Sequence, residues 1–546
     1  MVKKRVWLAA ALGFTFPTLV VAQGVPLHLT PQQSAPLNRL AGEAQKAMMQ
    51  VPEGGIESNN LMQLVRIYSE LGEPERAHAV VQVIRKRYAA MSEANASGQN
   101  PRGAANPVME PSVFASVVAE SGDTMDALDI MQDIGSQDRS GMTLSTISTK
   151  QAQLGDTPGA LQTAARIRSE GLREHTIGQI INFDLVNRDV SGALAAVGPM
   201  APSPQKVQQL VAIAHVQLLT GDREAAARMV AEAQKTALQL PEQTPSGPQK
   251  FRVTYYNYCS PGPNDSVRDV ALQFVAQGQW ELGDHAAAMA TRNQIQTPSL
   301  QDQTMLNIVK VGAEAKRFAE VVPLVEKLPE GSCRNEANAA LARAEIVAGN
   351  VTEGMARASE IQPASSTTWS DLAMKAKDPA VAAQLFARAR TAAANAPTEL
   401  ERAEDLYGIA ALETLKPGLH EAYCQDSAEA IRLAREARAK GERRRPGVVG
   451  LMSSNPIFDS DYAEVRRLAS CGDLAQAKAF ALRQEGTSRE NAIGNVAARQ
   501  AENGDLQGAE NWSNSLTSPT DRATALLGII ETALYQLRMQ AQATPK

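Results

Sequence analysis

Six polar side chains recur at one spacing and are the residues best placed for chemistry in this 546-residue sequence: Thr149, Asn182, His215, Gln277, Lys310 and Arg343. Each stands six residues before a recurring punctuation point in the chain, so stacking of the segments that carry them would align them as a ladder. Hydroxyl, amide and imidazole groups can hydrogen-bond an extended polar chain, and the ammonium of Lys310 and guanidinium of Arg343 favour carboxylates. Trp280, three residues beyond Gln277, is the candidate aromatic anchor. The plainer alternative is that the six form the solvated stripe of amphipathic helices. Other chemistry finds little footing. The histidines, His28, His78, His175, His215, His285 and His420, have no zinc-ligand spacing, and there is no His-Glu-x-x-His. A glycine-rich phosphate loop ending in Lys-Ser/Thr, a Gly-x-Ser-x-Gly elbow and a Cys-x-x-Cys pair are also missing. The expectation is therefore a non-enzyme with no catalytic residue, cofactor or metal.

The punctuation points define the elements that must position the ladder. Gly-Asp-x-x-x-Ala occurs at Gly122, Gly155, Gly221, Gly283, Gly472 and Gly504, and degenerate forms stand at Arg188-Asp189, Lys316 and Gly349-Asn350. Successive copies are mostly 33 residues apart, a period at which one supersecondary unit must bury its apolar face against its neighbours. Glycine can end a helix in the left-handed conformation, aspartate can cap the next one, and alanine permits close crossing. Seven and eight residues earlier come a small or polar residue and a large apolar one, in Ile147-Ser148, Ile213-Ala214, Val275-Ala276, Leu341-Ala342 and Val496-Ala497. First helices are expected to open on Thr487 with Glu490, Thr368 with Asp371 and Ser299 with Asp302 as capping boxes. Aromatic residues make up only 4%, so the core must be built from small aliphatic side chains. An all-α superhelix of stacked antiparallel helix pairs follows.

This skeleton resembles the tetratricopeptide repeat family, a helix-turn-helix unit with large-small residues in its first helix and Gly-Asp-x-x-x-Ala at its turn. The family's Trp and Tyr are replaced by Leu144, Leu210 and Leu272 and by Gln151, Gln217 and Gln279. The resemblance runs, with gaps, from Asn59 to about Leu537, and HEAT-like repeats are the rival. It implies a right-handed superhelix whose first helices line a concave groove, places the six-residue ladder in that groove, and implies binding of protein or peptide partners. A second likeness is fainter: Gly450-Leu451-Met452 resembles the Gly-Leu-Met-Gln motif of lytic transglycosylases, exported enzymes that sometimes carry a helical superhelix. The catalytic Glu-Ser pair that family needs is missing upstream. The alternative function is accordingly a helical accessory, or an enzyme, acting on peptidoglycan or envelope polysaccharide.

Along the chain, residues 1–22 read as a secretory signal: Lys3, Lys4 and Arg5, an apolar run, then Val20-Val21-Ala22 before Gln23. Cleavage near Ala22 would leave a periplasmic or secreted protein without an integral membrane segment and more acidic than its formal −5, unsuited as a whole to nucleic acid. Residues 23–58 should hold an extended segment to Pro36 and a helix from Leu37 to Met49. A first run of repeats spans 59–240, a Pro- and Tyr-rich insertion with Tyr255, Tyr256 and Tyr258 spans 241–265, and a second run spans 266–440. The latter turns also at Lys377 and near Gly418. Residues 441–460 form a second insertion, and 461–546 the last repeats and a closing helix from Thr520 to Leu537. Arg443, Arg444 and Arg445, with Arg432, Arg435, Arg438 and Lys440, could attract an anionic envelope surface, though Glu429, Glu436 and Glu442 suit a solvated helix face as well. Four cysteines allow three disulfide pairings. Cys424, early in a second helix, and Cys471, ending the next first helix, fall at one edge of the stack and favour each other; Cys259 is then left for Cys333, or both stay free thiols.

Overall fold

The computed structural model describes residues 29–51, 58–96, 111–120, 122–134, 141–242, 266–361, 365–416, 418–442 and 460–543. These residues form 26 α-helices and no strand. The expected signal, the Tyr255–Tyr258 cluster, Arg443–Arg445 and the Gly450–Met452 motif lie outside them. The helices group into two compact units, residues 124–363 and residues 25–123 together with 364–544.

The first unit is a stack of antiparallel pairs. Its first helices are Met142–Gln153, Glu170–Val186, Pro204–Thr220, Val267–Glu281, Pro298–Glu314 and Ser332–Ala348, and each packs on the next. Their partners are Thr157–Ala165, Val190–Val197, Arg223–Leu238, His285–Gln294, Phe318–Val325 and Val351–Ser359. The recurring turn explains both the repeat and its brevity. At Gly155 (φ 87°) the glycine amide returns to the Ala152 carbonyl at 3.0 Å, and the Asp156 amide to Gln151 at 2.9 Å, the paired bonds of a Schellman ending. Asp156 then caps the following helix by accepting the Gly159 amide at 2.9 Å. One dipeptide thus ends one helix and begins another. Asp189, Asp222, Asp284, Asp473 and Asp505 cap in the same way. The phrase's alanines, Ala160, Ala193, Ala226, Ala288, Ala477 and Ala509, are wholly buried. Ser148 beside buried Ile147 donates to the Ala160 carbonyl at 2.7 Å, tying the first helix to the second.

The Lys316 repeat lacks glycine, aspartate and alanine, and packing compensates. Lys316 takes φ 60° itself, Arg317 makes no side-chain cap bond, and Val321 occupies the alanine position. The facing residue is Gly312, where an added Cβ would come within 2.2 Å of Val321 Cγ1. The small residue has simply moved across the helix pair.

In the second unit the pairs Ser366–Lys375 with Pro379–Ala394, Glu399–Glu413 with His420–Ala439, Ser460–Ser470 with Leu474–Arg483, and Gly486–Glu502 with Leu506–Ser515 precede the last helix, Pro519–Ala543. That helix packs on Gly486–Glu502 and also on Pro31–Met49 and Ser58–Glu70, so the first and last described helices share one core. Arg39 binds both carboxylate oxygens of Glu510 (2.6 and 2.8 Å), Asn60 donates to Thr524 at 3.0 Å, and Arg538 pairs with Glu70. Cys424 and Cys471 form the expected disulfide, with Cα atoms 5.8 Å apart. Cys333 is not a free thiol, and Cys259 lies outside the described residues.

Several expected boundaries move. The first described helix begins at Pro31, where Thr30 and Gln33 form a capping box, and continues through Pro36. Pro36 removes one internal hydrogen bond, but burial of Leu37, Leu40, Ala41 and Ala44 sustains the helix across it. Helix starts lie before the expected boxes: Ser365 accepts the Thr368 amide at 3.1 Å, and Thr297 and Glu485 precede the other two without a side-chain cap bond. The Lys377 turn uses extended Ala376 and an Asp378 cap in place of a left-handed residue. The closing helix runs past Leu537 to Ala543, and Pro31–Met49 packs on it.

Candidate functional site

The ladder residues sit on successive first helices of unit 124–363, and their neighbours are groups that the repeat pattern alone did not single out. Thr149 Oγ1 lies 3.0 Å from Gln179 Oε1, whose amide nitrogen reaches His175 at 3.1 Å. Asn182 is only 9% exposed, and its Oδ1 is buried without a hydrogen bond. His215 Nδ1 is 2.7 Å from Glu281 Oε2 on the next first helix, and Gln277 donates to the other oxygen of Glu281 at 3.1 Å. Lys310 pairs with Glu336 one helix further on. Arg343 is exposed and faces the charge of Glu314. Thr149, His215, Gln277 and Lys310 are half-buried.

The right-hand part of this row is a charge zipper. Cations stand six residues before the turn, in His215, Lys310 and Arg343, and carboxylates two residues before it, in Glu281 and Glu314. Helices three or four residues per turn bring these two positions to one side, four apart. Burial lifts the Glu314 carboxyl to about 7, with Glu281 adding to the rise while Arg343, His215 and Lys310 oppose it. Burial pulls His215 down, but the hydrogen bond and charge of Glu281, and then Glu314, outweigh it and leave the imidazole above its ordinary value. The carboxylates expected from a partner of Lys310 and Arg343 are therefore already supplied, in part, by Glu336 and Glu314. Glu281 and Glu314 could have been found from the sequence by their shared offset from the turn; Glu336 and Gln179, which reach across from other offsets, could not.

Trp280 is not a surface anchor. It is 3% exposed, belongs to the core, and stacks on His285 with ring centroids 3.9 Å apart. Its position on the helix, three residues round from Gln277, turns it inward. The glutamines in place of the family's tyrosine are buried as well: Gln151, Gln217 and Gln279 are 4–7% exposed, and Gln279 accepts from Thr291 at 2.7 Å. In the described part of the basic run, Arg432 is held by Glu429 and Glu436 and Lys440 by Glu399, which is the paired helix face.

The second unit has its own buried charge group, unmarked by any motif. Arg390 reaches Asp426 Oδ2 at 2.6 Å and also binds Glu413, so one guanidinium joins three consecutive helices. Glu413 is fully buried; burial, then the Asp426 charge, push its carboxyl up to about 8 against the pull of Arg390.

Fold and row together define a helical-repeat protein with a polar ladder on its first helices. No family model and no curated protein matches the chain. Among solved structures it aligns with a circular tandem repeat protein of "novel repeat topology and enhanced subunit contact surfaces", over 92% of this chain and 99% of that one, at 12% identity and a TM-score of 0.13. So loose a superposition adds nothing to what the helices themselves show. Among the described residues no helix is long and apolar enough to cross a membrane.

Proposed function

We propose that this chain is an exported, non-enzymatic scaffold of the tetratricopeptide kind that holds an extended protein or peptide segment along the first-helix row. The observation that carries the reading is the repetition of polar side chains at one register over six stacked helices, most of them half-buried and none spent on filling the core except Asn182. Half-buried polar groups at a fixed stride suit a main chain laid across successive helices, because each helix offers one hydrogen-bonding group per step. The leader-like residues 1–22 and the Cys424–Cys471 disulfide support an oxidising compartment outside the cytoplasm. The test is affinity capture from envelope extracts with the mature chain, followed by the same capture with Lys310→Glu and Arg343→Glu. Because Lys310→Glu sets a second carboxylate beside Glu336, Lys310→Gln serves as the folding-safe companion. Protein partners retained by the wild type and lost in these variants are expected. Capture of peptidoglycan or polysaccharide alone, unaffected by the substitutions, would overturn the proposal in favour of an envelope-polymer accessory.

A further inference from the structure

The disulfide Cys424–Cys471 joins two chemically unequal sulfurs, and the inequality comes from where each cysteine sits on its helix. Cys424 is the fifth residue of His420–Ala439, and a helical side chain leans back over the turn before it. Its sulfur accordingly lies towards the amide end of that helix, 3.8 Å from Nε2 of His420 one turn earlier. Cys471 stands at the opposite kind of end. It follows the last residue of Ser460–Ser470, and its amide is bonded to the Arg467 carbonyl at 2.8 Å, among the last carbonyls of that helix. A thiolate on Cys424 would be held by a protonated imidazole and by the positive end of a helix dipole, whereas one on Cys471 would face a negative end. Both cysteines are half-buried and His420 is exposed, so the bond is not sealed in the core.

We propose that Cys424–Cys471 is a thiol-exchange site with a fixed direction: an external thiolate attacks Cys471 and expels Cys424. The thiolate sulfur forms a bond to Cys471 Sγ, the bond between the two cysteines breaks, and its electron pair leaves on Cys424, where His420 stabilises it. Leaving-group acidity sets this direction, because the sulfur with the more stable thiolate departs faster. A monothiol stops at a mixed disulfide on Cys471 and a thiolate on Cys424. A dithiol goes further: its second sulfur attacks its own half of the mixed disulfide and frees Cys471. The dithiol is then oxidised to its disulfide, both cysteines are reduced, and the protons lost by the reagent pass to the cysteines or to solvent. The partner class is thus an exported dithiol reductant. Its action would leave the packing of His420–Ala439 on Ser460–Ser470 to noncovalent contacts alone. None of this depends on a partner at the first-helix row.

The test incubates the full mature chain with glutathione, quenches early time points with N-ethylmaleimide and maps the adducts by peptide mass spectrometry, while circular dichroism follows whether the chain stays folded. Glutathione on Cys471 with maleimide on Cys424 should exceed the reverse pattern by about tenfold, the bias of two thiolates that differ by an imidazolium and a helix end. His420→Gln, at an exposed position, should slow release of Cys424 by about three- to tenfold, and His420→Lys, which restores a cation, should recover most of that loss. Adducts divided equally between the two cysteines, glutathione chiefly on Cys424, reaction of the unfolded chain only, or a rate unmoved by His420→Gln would each overturn the proposal. The adduct pattern of the wild type is read without any variant, so a folding defect in either substitution leaves that arm of the test intact.

Discussion

Replacing Gly155 by valine and Lys316 by glycine should move local stability in opposite directions, because the two residues occupy the same left-handed position in different repeats. Gly155 has φ 87° and Lys316 has φ 60°. A Cβ built at Gly155 has no atom within 4 Å, so the penalty for valine there is conformational and involves no collision with neighbours. An L-residue in this region costs about 1–2 kcal/mol, and a β-branched one sits at the upper end. At Lys316 that cost is already being paid, and glycine would relieve it, less about 0.5–1 kcal/mol for the greater freedom of glycine in the unfolded chain. The expected result is a loss of about 1–2 kcal/mol for Gly155→Val and a gain of about 0.5 kcal/mol for Lys316→Gly. A repeat array need not unfold in one step, so the readout is hydrogen exchange of the amides that close each turn. These are Asp156, bonded to Gln151, and Arg317, bonded to Gly312. The loss predicted for Gly155→Val corresponds to roughly tenfold faster exchange at Asp156. Unchanged exchange there, together with faster exchange in Lys316→Gly, would refute the assignment of a single turn geometry to both repeats.

Two further outcomes test the second unit. Cys424 and Cys471 are 47 residues apart, and in the chain-entropy model a closure of this length is worth about 4 kcal/mol. The double serine variant should therefore lose exchange protection in His420–Ala439 and Ser460–Ser470 well before residues 124–363 are affected; uniform loss along the chain would contradict it. Glu413, raised to about 8 by burial and by Asp426, contributes stability that is fully present below the unfolded carboxyl value and lost as pH rises through about 8. Glu413→Gln has no such proton to lose, so its thermal midpoint relative to the wild type should climb between pH 5 and pH 9, and a flat difference would show that Arg390 keeps the carboxylate ionised throughout.

What could be read from the sequence and what could not divides along the range of the interactions. The turn was legible because Gly, Asp and Ala each answer a demand made within six residues: a left-handed ending, a cap, a close crossing. The same local logic placed Cys424 and Cys471 at adjacent helix ends. Where the local signs vanish, as at Lys316, only the period kept the repeat visible, and its compensation by Gly312 against Val321 depends on a facing helix. Trp280 shows the converse: its spacing from Gln277 was correct, but three residues is nearly a full helical turn short by some 60°, enough to swing a side chain from the ladder into the core. The partners of the ladder were hidden for a related reason. Glu336 meets Lys310 and Gln179 meets Thr149 across two helices, where the offset depends on how the helices slide past each other rather than on the repeat. Longest in range, and least legible, is the packing of Pro31–Met49 on Pro519–Ala543: an amphipathic last helix announces that something must cover it, and its sequence does not say that Pro31–Met49 packs there.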